Sequence, residues 1–371
     1  MSYYDCHCRN KNTEWEKAFA GAEKIEIEQV LAKEDISTLD FLALLSPKME
    51  IYLEQMAEKA REITLQHFGR TIQLYAPIYV SDHCENQCLY CSFNARNKGL
   101  RKKLSLEEVE REAAFIAEAG LRQILLLTGE SKKESPTGYI RDCVRILRQY
   151  FSSIAVEIYP LSEEDYRFLV EDGVDGLTIY QETYDEDVYK NVHPAGPKRN
   201  FRFRLEAPER GANAGVRQIN IGVLLGLADW RKDVFLLGMH AQYLQNRFPD
   251  VEIGISVPRL RPHAGSFQSV NIVSDQDMVQ IILALRLFMP RLGISLSTRE
   301  NSIFRDNLLH LGITRMSAGS ATSVGGYTTP LFNGRAFPQF EIADKRSVPE
   351  IMARVRQKGY EPVLNDWISG I

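Results

Sequence analysis

The chain has 371 residues, of which 44% are hydrophobic and 25% are charged, and its formal net charge is −4. These values are typical of a globular protein, and the acidic balance argues against non-specific nucleic-acid binding. No apolar run reaches the roughly 20 residues needed to cross a bilayer, and the N-terminus lacks the apolar core of a signal peptide. We therefore expect a cytoplasmic protein with no membrane or nucleic-acid partner.

The first 70 residues are predicted to form a helical extension ahead of the main fold. Residues 14–33 are charged and amphipathic, Thr38 is placed to cap the next helix, and apolar residues recur at helical spacing over 49–68. Cys6 and Cys8 lie near a terminus that we expect to be mobile. We interpret these two cysteines as ordinary free thiols.

From residue 71 onward, strand-like and helical segments alternate. Ser105 and Glu108 form a capping box that opens one helix, and two more helices are predicted over 229–248 and 274–289. The predicted strands are 72–80, 123–127, 154–159, 176–180, 218–224, 252–257, 293–297 and 315–317. Eight βα units in series predict a TIM-type (β/α)8 parallel barrel. The predicted domains are a helical extension at 1–70, the barrel at 71–339, and a tail at 340–371 that contains a helix over 349–359.

Three cysteines, Cys84, Cys88 and Cys91, follow the first predicted strand directly. Their odd number excludes a closed disulfide framework, and thiolates this close together typically hold a soft metal. A cubane iron–sulfur cluster has four irons, so three thiolates leave one iron open for chemistry. The alternative is a structural zinc site with His83 or Cys143 as its fourth ligand. Without such a role, Cys143 is expected to be packed in a helix.

Polar residues collect where the predicted strands end. In a parallel barrel the carboxyl ends of the strands form the active-site rim. Thr128, Thr183 and Ser317 have a second interpretation, each as a helix cap, but the segments together predict an active-site mouth. These segments are Thr128-Gly129-Glu130, Tyr180-Gln181-Glu182-Thr183, Pro258-Arg259-Leu260-Arg261-Pro262, Ser297-Thr298-Arg299-Glu300 and Ser317-Ala318-Gly319-Ser320.

The cysteine loop, with Tyr90 before its last cysteine, resembles that of the radical S-adenosylmethionine superfamily, and Thr128-Gly129-Glu130 resembles its glycine-glycine-glutamate motif. From about Leu39 to Trp367 the chain resembles the aromatic amino-acid lyase branch, which includes the tyrosine lyase of thiamine biosynthesis and a maturase of iron-only hydrogenase. This resemblance is carried by Tyr180-Gln181-Glu182-Thr183-Tyr184, His193-Pro194, Arg204-Leu205, Ile221-Gly222, Gly226-Leu227, Pro258-Arg259-Leu260-Arg261-Pro262, Leu296-Ser297-Thr298-Arg299-Glu300 and Gly325-Gly326-Tyr327.

The resemblance implies a [4Fe-4S] cluster on Cys84, Cys88 and Cys91, with S-adenosyl-L-methionine chelating the fourth iron. It also implies which side chains meet that cofactor. Thr128, Gly129 and Glu130 would support its amino group, Glu182 its ribose and Arg204 its carboxylate. Tyr90 would lie beside the adenine or the cluster, and Gly222 would allow close approach of the backbone to the adenine.

The implied reaction is cleavage of the Cα–Cβ bond of L-tyrosine by a 5′-deoxyadenosyl radical. The products would be 2-iminoacetate, for the thiazole of thiamine, and p-cresol. A planar guanidinium matches a carboxylate, so Arg299 is the predicted clamp for the substrate carboxylate, assisted by Ser317 and, more weakly, Ser320. Tyr180 and Arg259 are the candidate proton donors.

Several alternatives stay open at this point. The hydrogenase maturase carries a further C-terminal domain with a second cluster, whereas this chain has no cysteine after Cys143 and ends at Ile371. That difference favours the thiamine-pathway enzyme over a maturase-like one. The substrate could also be another aromatic amino acid such as tryptophan, or the barrel could be a zinc-stabilised scaffold without activity.

The implied partners follow from this chemistry. They are a flavodoxin or ferredoxin as electron donor and the thiazole synthase that would receive the unstable product. The helical N-terminus through Phe68 is a candidate docking surface for them.

Overall fold

The computed structural model describes residues 2–11, 13–264, 267–269, 271–328 and 338–365. The strands, numbered β1 to β9 in chain order, are Thr71–Ser81, Gln123–Thr128, Ser153–Glu157, Gly176–Glu182, Gln218–Val223, Glu252–Ser256, Gly293–Leu296, Arg315–Ser317 and Glu361–Val363. The helices, numbered α1 to α15, are Tyr3–Arg9, Trp15–Ala22, Ile27–Ala32, Thr38–Leu44, Leu53–Phe68, Leu106–Glu118, Thr137–Leu147, Glu163–Glu171, Glu186–Val192, Phe201–Leu205, Ala207–Asn213, Trp230–Arg247, Asp275–Phe288, Ser302–Leu308 and Val348–Gln357. Two 3₁₀ turns, Pro47–Tyr52 and Pro197–Arg199, complete the regular structure of these residues.

Strands β1 to β8 close into a ring in which every neighbouring pair is parallel. Strand β1 closes the ring, because it pairs with β2 in the register Ala76 to Ile124 and with β8 in the register Gln73 to Arg315. The predicted (β/α)8 barrel is therefore confirmed. All eight strands end at one rim, so residues distant in sequence come together there.

The barrel strands are apolar along most of their length because helices cover their outer faces. Strand β5, for example, is buried at every position from Gln218 to Val223. The capping box predicted at Ser105 is present, since the Ser105 hydroxyl accepts from the Glu108 N–H and opens α6.

The N-terminal extension differs from its prediction in three details. The segment 14–33 forms two helices, α2 and α3, and the cap of α4 is Ser37, whose hydroxyl accepts from the Asp40 N–H, rather than Thr38. The expected mobile terminus is instead the packed helix α1. The buried ring of Tyr3 stacks on His240 with 3.9 Å between ring centroids, and its hydroxyl donates to the Leu236 carbonyl. This contact ties α1 to α12.

The C-terminal segment contains the predicted helix as α15 and also a strand that the sequence did not indicate. Strand β9 pairs in parallel with the first residues of β1, in the register Thr71 to Glu361. Trp367 lies outside the described residues. The division into three domains stays a prediction. Within the described ranges, no helix combines the length and apolar character needed to cross a membrane.

Candidate active site

A cavity with about 1320 Å³ of free space, including its open mouth, occupies the carboxyl-terminal rim of the barrel. Side chains from the ends of most strands meet there. Every residue that was predicted to bind the metal, the cofactor or the substrate lines this cavity, except Gly222: Cys84, Cys88, Tyr90, Cys91, Thr128, Gly129, Glu130, Glu182, Arg204, Arg299, Ser317 and Ser320. The structure thus brings the predicted set together, whereas the role of each member stays a prediction.

Backbone hydrogen bonds hold the cysteine loop against the neighbouring rim segments. The Glu85 N–H donates to the Glu130 carbonyl at 2.8 Å, the Gln87 N–H to Ala195 at 3.0 Å, and the Leu89 N–H to Val192 at 3.1 Å. Because the loop uses its own amides in this way, the thiols are positioned before any metal binds.

The three thiols fit an iron–sulfur cluster better than zinc. Burial raises the pKa of Cys91 to about 11 and raises the pKa values of Cys84 and Cys88, so the thiols stay protonated at neutral pH until a cation displaces the protons. In a cubane each thiolate binds a different iron, so the thiols need not meet at one point, whereas zinc requires four donors around one centre.

Cys143 does not take part in this site. It is buried in α7, where its thiol is hydrogen-bonded to Tyr139, and it does not line the cavity. The prediction that it is packed in a helix is confirmed.

The end of β2 approaches the cysteine loop closely. The Gly129 N–H donates to the Ser81 carbonyl at 2.8 Å, and a side chain at Gly129 would collide with the backbone of His83. The Glu130 carboxylate accepts from the Asn86 amide at 2.5 Å. The Thr128 hydroxyl is buried and has no hydrogen-bond partner, so it is not a helix cap and is available to a ligand.

Glu182 adopts a backbone conformation that is rare for a residue with a side chain. Its φ is 72°, and the register of β4 with β5 shifts between Tyr180 and Glu182. Such a conformation costs about 1–3 kcal/mol and is common at functional sites. The Lys198 ammonium lies 2.6 Å from the Glu182 carboxylate, and an Arg204 terminal nitrogen lies 3.7 Å from it. Burial would raise the pKa of Glu182, but Lys198 and then Arg204 reverse that effect and hold it below its usual value.

The other threonine considered as a cap, Thr183, lies next to Glu182 but is not the cap of α9. Its hydroxyl donates to the buried Asp233 carboxylate, and it accepts from the Asp185 N–H. The cap is Asp185, whose carboxylate accepts from the first turn of the helix.

Tyr90 is held by a neutral histidine. Its hydroxyl lies 2.7 Å from Nε2 of His193, and Nδ1 of His193 lies 2.7 Å from the Tyr189 carbonyl. A carbonyl only accepts, so Nδ1 carries the proton and Tyr90 donates to Nε2. Burial lowers the pKa of His193 to about 2, which keeps the imidazole neutral.

Gly222 lies on β5, between Tyr180 of β4 and Ser256 of β6, and does not line the cavity. A side chain at this position would collide with the Ser256 carbonyl and the Tyr180 ring. The structure explains the glycine by packing beneath the cavity wall, and its predicted contact with the adenine stays untested.

Arg299, Ser317 and Ser320 line the cavity from the ends of β7 and β8. The guanidinium carbon of Arg299 lies 3.4 Å from the centroid of the Phe340 ring, a cation–π contact. The Ser317 hydroxyl oxygen accepts a hydrogen bond from the Thr298 N–H at 3.0 Å, and the hydroxyl is also hydrogen-bonded to the Tyr75 side chain. Ser320 has a buried hydroxyl with no partner, so its geometry suits a ligand better than that of Ser317.

Of the two candidate proton donors, only Tyr180 lines the cavity. Arg259 is engaged elsewhere, since it pairs with Glu300 and, at 2.7 Å, with Asp275. Its guanidinium is therefore a structural cross-link of the rim.

The cavity residues that were missed from the sequence include Asn86, Glu157, Lys198 and Phe340. Glu157 is the last residue of β3, and a polar residue at the end of a barrel strand was a usable signal for it. Burial and the nearby Glu182 raise the pKa of Glu157 to about 7, although Arg299 opposes them. Lys198 and Phe340 lie on connections whose sequence carries no motif.

The comparisons with known proteins agree with this geometry. Residues 78–237 match the family model of the Radical SAM superfamily, and residues 256–361 match that of the Biotin and Thiamin Synthesis associated domain. The chain is 39% identical to 2-iminoacetate synthase of Escherichia coli (strain K12) over 94% of this chain and 92% of that protein. It is 37% identical to 2-iminoacetate synthase of Salmonella typhimurium, with the same coverage.

Two solved structures superimpose on this chain over most of its length. HydG, a maturase of the [FeFe]-hydrogenase, superimposes with a TM-score of 0.89 and 33% identity, over 95% of this chain and 80% of that chain. Methylornithine synthase (PylB) shares the fold, with a TM-score of 0.73 and 21% identity over 91% of this chain and 97% of that chain.

Proposed function

Because this chain belongs to the 2-iminoacetate synthase family of radical S-adenosylmethionine enzymes, we propose that it cleaves the Cα–Cβ bond of L-tyrosine to 2-iminoacetate and p-cresol. The observation that carries the proposal is a single cavity that holds both the three-cysteine loop and the guanidinium of Arg299. The first supplies a site for radical generation, and the second supplies a site for an amino-acid carboxylate.

The enzyme uses a [4Fe-4S] cluster and S-adenosyl-L-methionine, like its superfamily. When bound, these groups supply a 5′-deoxyadenosyl radical. Cys84, Cys88 and Cys91 would hold the cluster. Nε of Arg204 donates a hydrogen bond to the Tyr180 carbonyl, so the two terminal nitrogens of its guanidinium would bind the methionyl carboxylate. Glu182 would accept hydrogen bonds from the ribose hydroxyls, since its lowered pKa keeps it ionised.

The substrate would lie toward Arg299. The Phe340 ring packs on the guanidinium and fixes its plane, which favours bidentate binding of a carboxylate. The unpaired Ser320 hydroxyl can donate a further hydrogen bond. An apolar wall of Tyr79, Phe93, Leu125 and Leu127 offers a surface for the phenol ring and limits the access of water to a reactive radical.

An anaerobic turnover assay tests the proposal. The cluster is reconstituted, S-adenosylmethionine, reductant and L-tyrosine are added, and 5′-deoxyadenosine and p-cresol are measured by mass spectrometry. Both products should appear together. If 5′-deoxyadenosine forms without p-cresol, the radical chemistry is retained but the substrate is another molecule, tryptophan being the first to try.

Partners and location belong to the same proposal. The imine product hydrolyses readily in water, so direct transfer to a thiazole synthase is favourable, and a flavodoxin or ferredoxin would supply electrons at low potential. We place the enzyme in a reducing cytoplasm, because the six cysteines are all unpaired.

A further inference from the structure

Two oppositely charged side chains in the cavity, Glu157 and Arg299, have no hydrogen bond or ion pair to any described side chain. The cavity's other charged side chains are already matched. Glu182 is paired with Lys198 and Arg204, and Glu130 accepts from the Asn86 amide. Glu157 and Arg299 are half-buried, and a charge that is partly removed from water without a partner is costly. An unmatched anion and an unmatched cation in one cavity therefore indicate a ligand with both charges.

We propose that Glu157 binds the α-ammonium group of L-tyrosine beside Arg299 and accepts one proton from it. This inference rests on the proposed function and assigns a further catalytic residue to it. The ammonium and carboxylate of an amino acid are attached to the same carbon, so a ligand whose carboxylate is bound by Arg299 keeps its ammonium in the same cavity. Glu157 is the unmatched anion that lines this cavity with Arg299.

The proton transfer balances without a further reactant. The ammonium loses one proton and becomes a neutral amine, and the Glu157 carboxylate becomes a carboxylic acid. A neutral amine loses a hydrogen atom to give a neutral aminyl radical, whereas the ammonium form would give an aminium radical cation. Glu157 is a stronger base than an ordinary glutamate, since burial, followed by Glu182, raises the pKa of Glu157 to about 7.

Groups from every surrounding element set the charge of Glu157. Glu182 of β4 raises its pKa, and Arg299, Arg204 and Lys198 lower it. Tyr75 and Tyr79 of β1 and Tyr180 of β4 also interact with it, and their pKa values are raised by burial, so these phenols are neutral. An arriving ammonium adds a positive charge and favours the carboxylate form.

Ligand binding to Glu157→Gln tests the assignment. Reconstituted enzyme with S-adenosylmethionine but no reductant is titrated calorimetrically with L-tyrosine and with 3-(4-hydroxyphenyl)propanoate, which lacks the amino group. The variant should bind tyrosine about 30-fold more weakly, the scale for losing one partner of a buried charge pair, while its affinity for the amine-free analogue changes by less than about twofold. Glu164→Gln, on the exposed face of α8, is the matched control and should bind both ligands as the wild type does.

Titration with both ligands distinguishes a failure of the Glu157 assignment from a failure of the proposed function. If Glu157→Gln weakens both ligands equally, the residue only shapes the cavity and the assignment is overturned. The same conclusion follows if neither affinity changes while the wild type makes p-cresol. If the wild type binds neither ligand and makes no p-cresol, the proposed function fails and the Glu157 assignment fails with it. Glu157→Asp, which keeps the charge with a shorter reach, should retain part of the selectivity for tyrosine.

The pH dependence gives a second readout. In the wild type, kcat/KM for tyrosine should fall as the pH drops below about 7, because Glu157 is then protonated in the free enzyme. This decrease of kcat/KM at low pH should be absent from the residual activity of Glu157→Gln. If the same decrease persists in that variant, another group causes it, and Glu157 is not the proton acceptor.

Discussion

The two walls of the cavity differ in how their charges are matched before a ligand arrives. The wall that we propose to bind the cofactor, called the cofactor wall below, is formed by Cys84, Glu130, Glu182, Lys198 and Arg204. It is held by ion pairs and by backbone hydrogen bonds of the cysteine loop. The wall that we propose to bind the substrate, called the substrate wall below, contains two unmatched charges and is formed by Glu157, Arg299, Ser317, Ser320 and Phe340.

This difference indicates that the cofactor wall is preorganised and that the substrate wall provides recognition. Matched groups keep their geometry without a ligand, so binding costs little reordering there. Unmatched groups gain their partners only on binding, so they discriminate strongly between ligands that complete the set and ligands that do not. We therefore expect substitutions on the cofactor wall to impair assembly of the site and those on the substrate wall to impair selectivity.

The largest expected effect is on the cofactor wall. Cys84→Ala removes one of three thiolates, so cluster-dependent formation of 5′-deoxyadenosine should be lost outright, as measured by mass spectrometry after reconstitution. Cys143→Ala is the control: it deletes a buried thiol away from the cavity and should keep the reaction. A Cys84→Ala enzyme that still makes 5′-deoxyadenosine would remove Cys84 from the ligand set.

The next largest effect is expected on the substrate wall. Arg299→Ala should weaken tyrosine binding by about 2–5 kcal/mol, because it leaves the substrate carboxylate without its cation. The affinity for S-adenosylmethionine, measured by calorimetry on the same reconstituted protein, should change little. Wild-type affinity for tyrosine would exclude Arg299 as the clamp, and equal losses for both ligands would remove the distinction between the two walls.

The barrel and its rim could be predicted from sequence because both depend on local patterns. Apolar runs separated by helical segments gave the eight strands, and the cysteine spacing marked the loop after β1. Strand β9 is only three residues long and includes Pro362, so its pairing with β1 depends on tertiary contacts that no local pattern records. Helix α1 is likewise stabilised by the docking of Tyr3 on α12.

The cavity was predicted less completely than the barrel. Glu157 was read as part of a longer strand, 154–159, and the strand in fact ends at Glu157, where its side chain reaches the rim. Lys198 enters the site through its ion pair with Glu182, and Phe340 through its contact with Arg299. Lys198 lies on a short 3₁₀ turn, and Phe340 is distant in sequence from Arg299. The positions of both side chains therefore depend on the folded barrel.

A smaller effect should follow from loosening the cofactor wall. Lys198→Met removes the nearest cation from Glu182, so the pKa of that carboxyl should rise and the affinity for S-adenosylmethionine should fall by about tenfold, more at low pH. Because the pKa of Glu182 is lowered in the folded enzyme, the pair stabilises the fold above the unfolded pKa of about 4.3, and this contribution is lost as the pH falls.

Lys190→Met, on the exposed side of α9, is the control for this change and should behave as the wild type. Calorimetric titration at pH 6 and pH 8 measures the effect. Tighter binding in Lys198→Met would mean that Lys198 competes with the cofactor for Glu182, which would contradict the view that the cofactor wall is preorganised.

The last effect concerns stability and not ligand binding, and it is expected from Tyr90→Phe, which keeps the ring but removes the hydroxyl that donates to His193. The loss should be about 1–3 kcal/mol of unfolding free energy, because the buried Nε2 of His193 then lacks a donor. Burial holds the pKa of His193 at about 2, so the loss should be the same at pH 6 and pH 8 in denaturant titrations. A loss that shrinks at the lower pH would mean that His193 becomes protonated there, and the cofactor wall would then be less rigidly matched than its hydrogen bonds indicate.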